Sequence, residues 1–316
     1  MTPDPKLPVC VLGTGLIGGS LVRAATAAGY RVWAYNRSED GAAAARADGF
    51  EVTSDLVGTL HRAAEAGALI VIAVPMPAVG AMLSAIASYA PKCPLTDVVS
   101  VKGPVLAAVR EHGLAAHYVG GHPMAGTSES GWAATFPELF QGAVWAVGVD
   151  EGTHAQPWRR VAGLALDCGS VVVPVVAADH DRAVARISHL PHVLAEALAV
   201  SGAAGGPLAL GLAAGSFRDG TRVAGTAPDL VRAICEPNAT ALLEVLDDTL
   251  AVLTAARDGL RADGSLADLV EAGHDGRQDY ETAQRWEITG VTPGDHGWLE
   301  ALRDAGQRGG ALTELP

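Results

Sequence analysis

The chain has 316 residues, with 22 lysines and arginines against 35 aspartates and glutamates, and a formal charge of -13 at pH 7. That length suits two domains of ordinary size. The acidic balance excludes a non-specific nucleic-acid binder or a membrane-surface protein, yet still allows a locally basic site for an anionic small molecule. Cysteines at 10, 93, 168 and 235 are far apart and form no C-x-x-C pair. They read as small buried hydrophobes in a reducing compartment, not as a disulfide frame or a zinc site. The opening MTPDPKLPVCVLG has no basic stretch followed by a long apolar run, so no signal peptide is expected. The longest apolar run, ALIVIAVPMP, is too short to span a bilayer, and a cytoplasmic protein is expected.

Through the first half, short β-branched runs alternate with Ala-rich stretches long enough for crossover helices. The strand candidates are 8–12, 31–35, 68–74, 95–100, 117–121, 144–149 and 170–175. Continuous apolar strands such as 68–74 predict a sheet covered on both faces, hence parallel and doubly wound. From about Asp179 the strand signals stop and helical spacing takes over. The reading is an α/β dinucleotide-binding domain of Rossmann type over 1–177, an all-α domain over 178–280, and a tail, 281–316, patterned as strand, helix and strand.

The first strand runs into a loop with Gly13, Gly15 and Gly18 in G-x-G-x-x-G spacing, then a helix, then a second strand. In that context the pattern points to a dinucleotide: Gly13 permits a tight turn, Gly15 a close approach to a pyrophosphate, and Gly18 helix–strand packing. Leu16 and Ile17 open the helix whose free N–H groups face the anion. Val74 and Pro75, at the end of the 68–74 run, are counted with them. An NAD site usually carries a carboxylate at the end of the second strand, to accept bonds from the ribose 2′-hydroxyl. This chain has Asn36, Arg37 and Ser38 there. A guanidinium and a hydroxyl suit a 2′-phosphate, so NADP is expected, with NAD the alternative.

Hydride transfer also requires a group that handles a substrate proton. His122, in GGHPMAGTSESGW, follows a predicted strand and so lies at a carboxyl end, where open α/β folds bind ligands. The blander reading is a loop histidine bonded to a carbonyl. Ser100 follows the preceding strand and is placed to bond either His122 or the nicotinamide ribose. Lys102 is either a charge near the site or a solvated helix start. Farther on, ISHLPH places Ser188 and His192, and His189 and His192, on one helix face, beside a Pro191 that should kink the helix. No further ligands stand at zinc-motif spacing, so no metal is expected. In GSFRDGTRVA, one of Arg218 and Arg222 can pair with Asp219, leaving the other for an anion.

Taken together, these segments resemble the prephenate/arogenate dehydrogenase family of tyrosine biosynthesis. The likeness rests on the glycine loop, SVK at 100–102, HPMAGT at 122–127, SHLPH at 188–192 and F-x-D-x-T-R-x-A at 217–224, in order. It implies oxidative decarboxylation of prephenate to 4-hydroxyphenylpyruvate, with hydride passing from C4 of a cyclohexadienol to NAD(P) and the ring carboxylate leaving as CO2. It further implies His122 as proton acceptor or polariser of the 4-hydroxyl, neutral near an imidazole pKa of ~6.5. Ser100 would hold His122 or the cofactor. Arg222 would bind a substrate carboxylate, with Ser188, His189, His192, Thr127 and Ser128 as further substrate contacts. The helical domain would form a homodimer.

The chain departs from the family pattern where Ser128 follows HPMAGT in place of a common Glu, with Glu129 one later. Asn36 departs too, standing for the usual acidic residue. The tail is too short for a complete regulatory ACT domain, and no chorismate mutase domain is expected. Arogenate, or an amino-prephenate of secondary metabolism, is the alternative substrate. A β-hydroxyacid dehydrogenase would rely on a lysine of the helical domain, and 178–316 holds none. A non-catalytic NADP-binding regulator is disfavoured because His122 and Arg222 are both intact.

Overall fold

The structure is a computed structural model that describes residues 6–127 and 129–315. The chain forms two compact units, one of residues 1–180 with 286–316, the other of 181–285. The first is built on β1 (Val9–Leu12), α1 (Leu16–Ala27), β2 (Val32–Tyr35), α2 (Glu39–Ala47), β3 (Val52–Thr53), α3 (Leu56–Ala66), β4 (Leu69–Ile72), α4 (Met76–Tyr89), β5 (Leu95–Asp97), α5 (Gly103–Glu111) and β6 (Tyr118–Val119). These strands make one sheet in the order β3-β2-β1-β4-β5-β6, and every neighbouring pair is parallel. Side chains alternate across the sheet, so Val9 and Val11 join one core layer while Cys10 and Leu12 join the other. Each of these valines and the leucine, fully buried, stabilises the fold by roughly 1.5–3 kcal/mol. Among the described residues no helix is long and apolar enough to cross a membrane.

The runs at 144–149 and 170–175 do not extend that sheet, as the doubly wound reading expects. With β7 (Gly121–Pro123) they form a separate sheet, β8 being Val144–Gly148 and β9 Val171–Val175. β7 pairs antiparallel with β8, and β8 parallel with β9. Between β8 and β9 runs α6 (Ala155–Asp167). The cause is local: the chain leaves β6 through Gly120 and Gly121. A Cβ on Gly121 would lie 2.6 Å from the Asp97 carbonyl oxygen and 3.0 Å from Thr96 Oγ1, so only glycine passes that close.

A helical run begins with α7 (Ala177–Val184), continues through a π-helical turn, Ala185–His189, and becomes α8 (Leu190–Ala204). The kink expected near Pro191 takes this form, because proline removes an N–H and crowds the carbonyl one turn back. The second unit continues with α9 (Gly206–Gly211), α10 (Gly215–Thr221), α11 (Pro228–Cys235), α12 (Ala239–Ala262) and α13 (Ala267–Thr282). Its buried apolar cluster is small, Ala185, Ala241 and Val245 with Leu190 against them.

The tail is part of the first unit rather than a segment apart. It carries β10 (Trp286–Glu287), α14 (Trp298–Gln307) and β11 (Gly310–Ala311), with β10 and β11 parallel. Trp298 packs edge-on to Trp158 at 5.9 Å, and Arg303 Nε donates to the Val149 carbonyl at 2.5 Å. Leu312 exchanges backbone bonds with Val172 of β9. The chain thus returns to the second sheet after the helical unit.

Candidate active site

The glycine loop is shaped as its spacing requires. Gly13 has φ +110°, and a Cβ there would meet the Ala73 carbonyl oxygen at 2.4 Å and Val74 Cγ1 at 3.1 Å. A Cβ on Gly18 would meet the Gly13 carbonyl oxygen at 2.0 Å, so α1 packs against its own loop. Gly15, in contrast, faces open space: among the described residues nothing beyond its own chain neighbours lies within 4 Å of an added Cβ. It is the N-cap of α1 and supplies no side-chain cap. The N–H groups of the first turn, beside half-buried Leu16 and Ile17, are therefore offered outward, as an anionic diphosphate requires. Val74 is half-buried, and Pro75, exposed, begins α4. These residues fit a dinucleotide.

At the end of β2, Asn36 Nδ2 donates to Thr14 Oγ1 at 2.6 Å, and its Oδ1 accepts from the Ser38 N–H at 2.9 Å. The asparagine thus ties this turn to the glycine loop. Ser38 Oγ accepts from the Gly41 N–H at 3.3 Å and caps α2, leaving its O–H to donate elsewhere. Arg37 is exposed, with no ion pair among the described residues. Glu39 is held by Ser54 and Arg46, each at 2.5 Å, and these bonds keep its carboxyl below the usual range.

Past β5 the chain builds a buried ionic knot. Lys102 is 3% exposed and Asp97 wholly buried. The Lys102 ammonium donates to Asp97 Oδ1 and, at 2.6 Å, to the Gly121 carbonyl. Tyr118 Oη donates to Asp97 Oδ2 at 2.6 Å, and the Val99 N–H to Oδ1 at 2.8 Å. The Gly121 N–H also points at Oδ2, at 3.4 Å. Lys102 is thus no solvated helix start: its charge is matched inside the protein, and it grips the peptide just before His122. A pair this buried survives only if every polar atom is answered.

His122 is the middle residue of β7, opposite Ala146 of β8, and not a residue at a main-sheet strand end. Its ring Nδ1 lies 2.8 Å from Nε2 of His180, with ring centroids 5.1 Å apart. His180 is not among the residues that motif spacing marks. Its only sequence signal is DHD at the start of the helical run, 58 residues away. Ser100, half-buried at the mouth of β5, is not the residue bonded to His122.

In the helical unit, Ser188 is half-buried within the π-helical turn. His189 is wholly buried and packs as core: its Nδ1 lies 3.1 Å from Asn238 Nδ2, which also donates to the Asp181 carbonyl at 2.8 Å. The π-helical turn carries it on the inward side of the helix. His192 is half-buried, with a buried Nδ1 that has no hydrogen-bond partner among the described residues. Arg218 and Arg222 are both exposed, and neither pairs with Asp219, contrary to the expected ion pair. The two sit in different elements, Arg218 in α10 and Arg222 in a 3-10 turn, Arg222–Gly225. Thr127 is exposed and accepts from the Glu129 N–H at 3.2 Å. Ser128 lies outside the described residues.

No group of histidines, cysteines and acids that would hold a metal exists among the described residues. All four cysteines are buried thiols. Burial, helped by the Asp167 charge, pushes Cys168 up to about 12. Burial raises Cys10, Cys93 and Cys235 as well. Iodoacetamide near pH 8 should therefore leave activity and mass of the native protein unchanged over an hour, since the thiolate is the reacting form. Rapid alkylation with loss of activity, read by mass spectrometry, would show an exposed thiol.

The family model for the nucleotide-binding domain of prephenate dehydrogenase matches residues 21–174. That for the prephenate dehydrogenase dimerization domain matches 176–272. A cyclohexadienyl dehydrogenase of Zymomonas mobilis is 36% identical over 263 residues, 80% of this chain and 88% of that protein. A crystal structure of a candidate prephenate dehydrogenase from Corynebacterium glutamicum superposes with a TM-score of 0.93 at 46% identity, covering 99% of this chain and all of the other. The arogenate dehydrogenase of Synechocystis superposes with a TM-score of 0.76 at 27% identity, over 87% of this chain and 100% of that one.

Proposed function

Because the chain belongs to the prephenate dehydrogenase family, we propose that prephenate is its preferred substrate, NADP its preferred acceptor and His122 its base. It is an NAD(P)-dependent oxidoreductase of tyrosine biosynthesis. The observation that carries the reading is that His122 sits in β7, the strand that follows β6, with the Gly121 carbonyl just before it gripped by Lys102 and its Nδ1 engaged by a second imidazole. With Nδ1 so engaged, Nε2 is the nitrogen that acts on substrate. It takes the proton of the 4-hydroxyl, whose oxygen becomes a carbonyl as the C4 hydrogen departs with its electron pair. A nicotinamide held at the glycine loop would supply the acceptor for that hydride. Loss of the ring carboxylate as CO2 then restores an aromatic phenol and makes the step effectively irreversible.

Gly13, Gly15, Leu16, Ile17 and Gly18 would hold the diphosphate, with Val74 and Pro75 beside them. Ser100 would bond the nicotinamide ribose. Arg222 would hold a substrate carboxylate, and Ser188, His192 and Thr127 would bond the remaining polar groups. The enzyme would act in the cytoplasm as a homodimer. Supporting the dimer, Leu208 and Leu212 of the helical unit are each 75% exposed and Leu243 60%, more apolar surface than so small a core accounts for.

The test is nicotinamide reduction with prephenate and arogenate side by side, each with NADP and NAD. Prephenate should show the higher kcat/KM. A higher value with arogenate would assign the other substrate, the activity named for the Synechocystis neighbour. One charged hydrogen bond from Arg37 or Ser38 is worth about 1.5–3 kcal/mol, so NADP should be favoured roughly tenfold to a hundredfold. Asn36→Asp should reverse much of that preference. The carboxylate can still accept the Ser38 N–H and the Thr14 hydroxyl, so the turn survives while a 2′-phosphate is repelled. Arg37→Ala should weaken NADP and spare NAD. A wild-type kcat/KM higher with NAD would end the NADP reading.

A further inference from the structure

We propose that His180 is a positioning residue for His122, selecting its tautomer and ring orientation; this rests on the reading of His122 as the base. A separation of 2.8 Å between Nδ1 and Nε2 is a hydrogen bond with one proton between two imidazoles. A base that works through Nε2 must carry its own hydrogen on Nδ1. His180 Nε2 therefore accepts from His122 Nδ1–H. The alternative proton placement would leave His122 Nε2 protonated and unable to take the substrate proton.

Both rings stand on rigid supports. His122 is fixed by its pairing with β8 and by the Met124 N–H donating to the Val144 carbonyl at 2.7 Å. His180 is 3% exposed and lies in the first turn of α7. Asp150 Oδ1 accepts from the Ala177 N–H at 2.9 Å, capping that turn, and Gln307 of the tail donates to Asp179 Oδ2 at 2.9 Å. The tail thus braces the turn that presents the second ring.

The chemistry follows from an imidazole partner. When the substrate O–H bond breaks and an N–H bond forms at His122 Nε2, the ring becomes an imidazolium. Its Nδ1–H stays bonded to His180 throughout, so no reorientation is needed. A carboxylate in the same place would hold the imidazolium more strongly and slow its return to the neutral base. An imidazole orients the ring without that penalty.

The experiment measures kcat, KM, cofactor affinity and Tm for His180→Leu, His180→Gln and His180→Asn, each alone and with His122→Asn, using the full chain and prephenate. His180→Leu should lower kcat about 10–100-fold, the range for losing an orienting partner of a histidine, and leave KM and cofactor affinity within about threefold. The glutamine amide reaches the place of Nε2, whereas asparagine reaches only that of Nδ1. Glutamine should therefore recover most of kcat and asparagine little. In the His122→Asn background His180→Leu should add no further loss. Wild-type kcat in His180→Leu overturns the proposal. So does an equal further loss in that background, or equal impairment by glutamine and asparagine with lowered Tm and weakened cofactor binding. If His122→Asn alone were fully active, the base assignment itself would fall, a result distinct from loss of coupling between the two histidines.

Discussion

His122→Asn should lower kcat about 10²–10⁴-fold, the usual size of a general-base contribution, while cofactor affinity stays nearly unchanged. The substitution is mild for the fold. Asparagine can keep a donor toward His180 Nε2, and β7 is held by its pairing with β8 and by the Lys102 grip on Gly121. What asparagine lacks is a basic nitrogen. With the proton left on the substrate hydroxyl, departure of the C4 hydride would build positive charge on the ring carbon with nothing to relieve it. Steady-state kinetics at saturating substrate and cofactor titration by fluorescence separate the two effects. A variant retaining most of its kcat would remove His122 from the chemistry.

Arg222→Ala should raise KM for prephenate about 10–100-fold and change kcat little. A charge-assisted bond to a carboxylate already exists in the ground state, so its loss weakens substrate and transition state alike. Such bonds are worth about 1.5–3 kcal/mol, which sets that range. Pairing with Asp219 does not set the two arginines apart, because both are exposed and neither is paired with it. Arg218→Ala should still have the smaller effect, since the F-x-D-x-T-R-x-A pattern specifies position 222 and leaves 218 open. Equal increases in KM from both variants would mean that both bind substrate or that the wrong arginine has been chosen.

Much of the first unit was legible because its signals are local. An apolar run, a glycine loop and an amphipathic helix are written within about thirty consecutive residues, and the βαβ unit closes over that distance. The Gly13, Gly15 and Gly18 cradle, the burial of all four cysteines and the helical second unit follow from such short-range patterns. So does the place of Asn36 at the end of β2, although its bond to Thr14 does not. The two-residue strand β3 was missed, since two residues carry no periodicity.

What only the tertiary structure decided are pairings across long stretches of chain. Composition and spacing mark 144–148 and 171–175 as strands, but a strand's own sequence does not name its neighbour. That choice came from Gly120 and Gly121 turning the chain out of the main sheet. The burial of Lys102 depends on Asp97, Tyr118 and Gly121 converging from separate elements. His189 shares its motif with His192, yet a π-turn and Asn238 send it into the core. His180 reaches His122 only because the chain returns through β8 and β9 and is braced by a tail that follows the helical unit. Local propensity is set by each residue's own backbone and immediate neighbours. Which distant groups meet is set by the packing of whole layers, and His180 became visible as the partner of His122 only there.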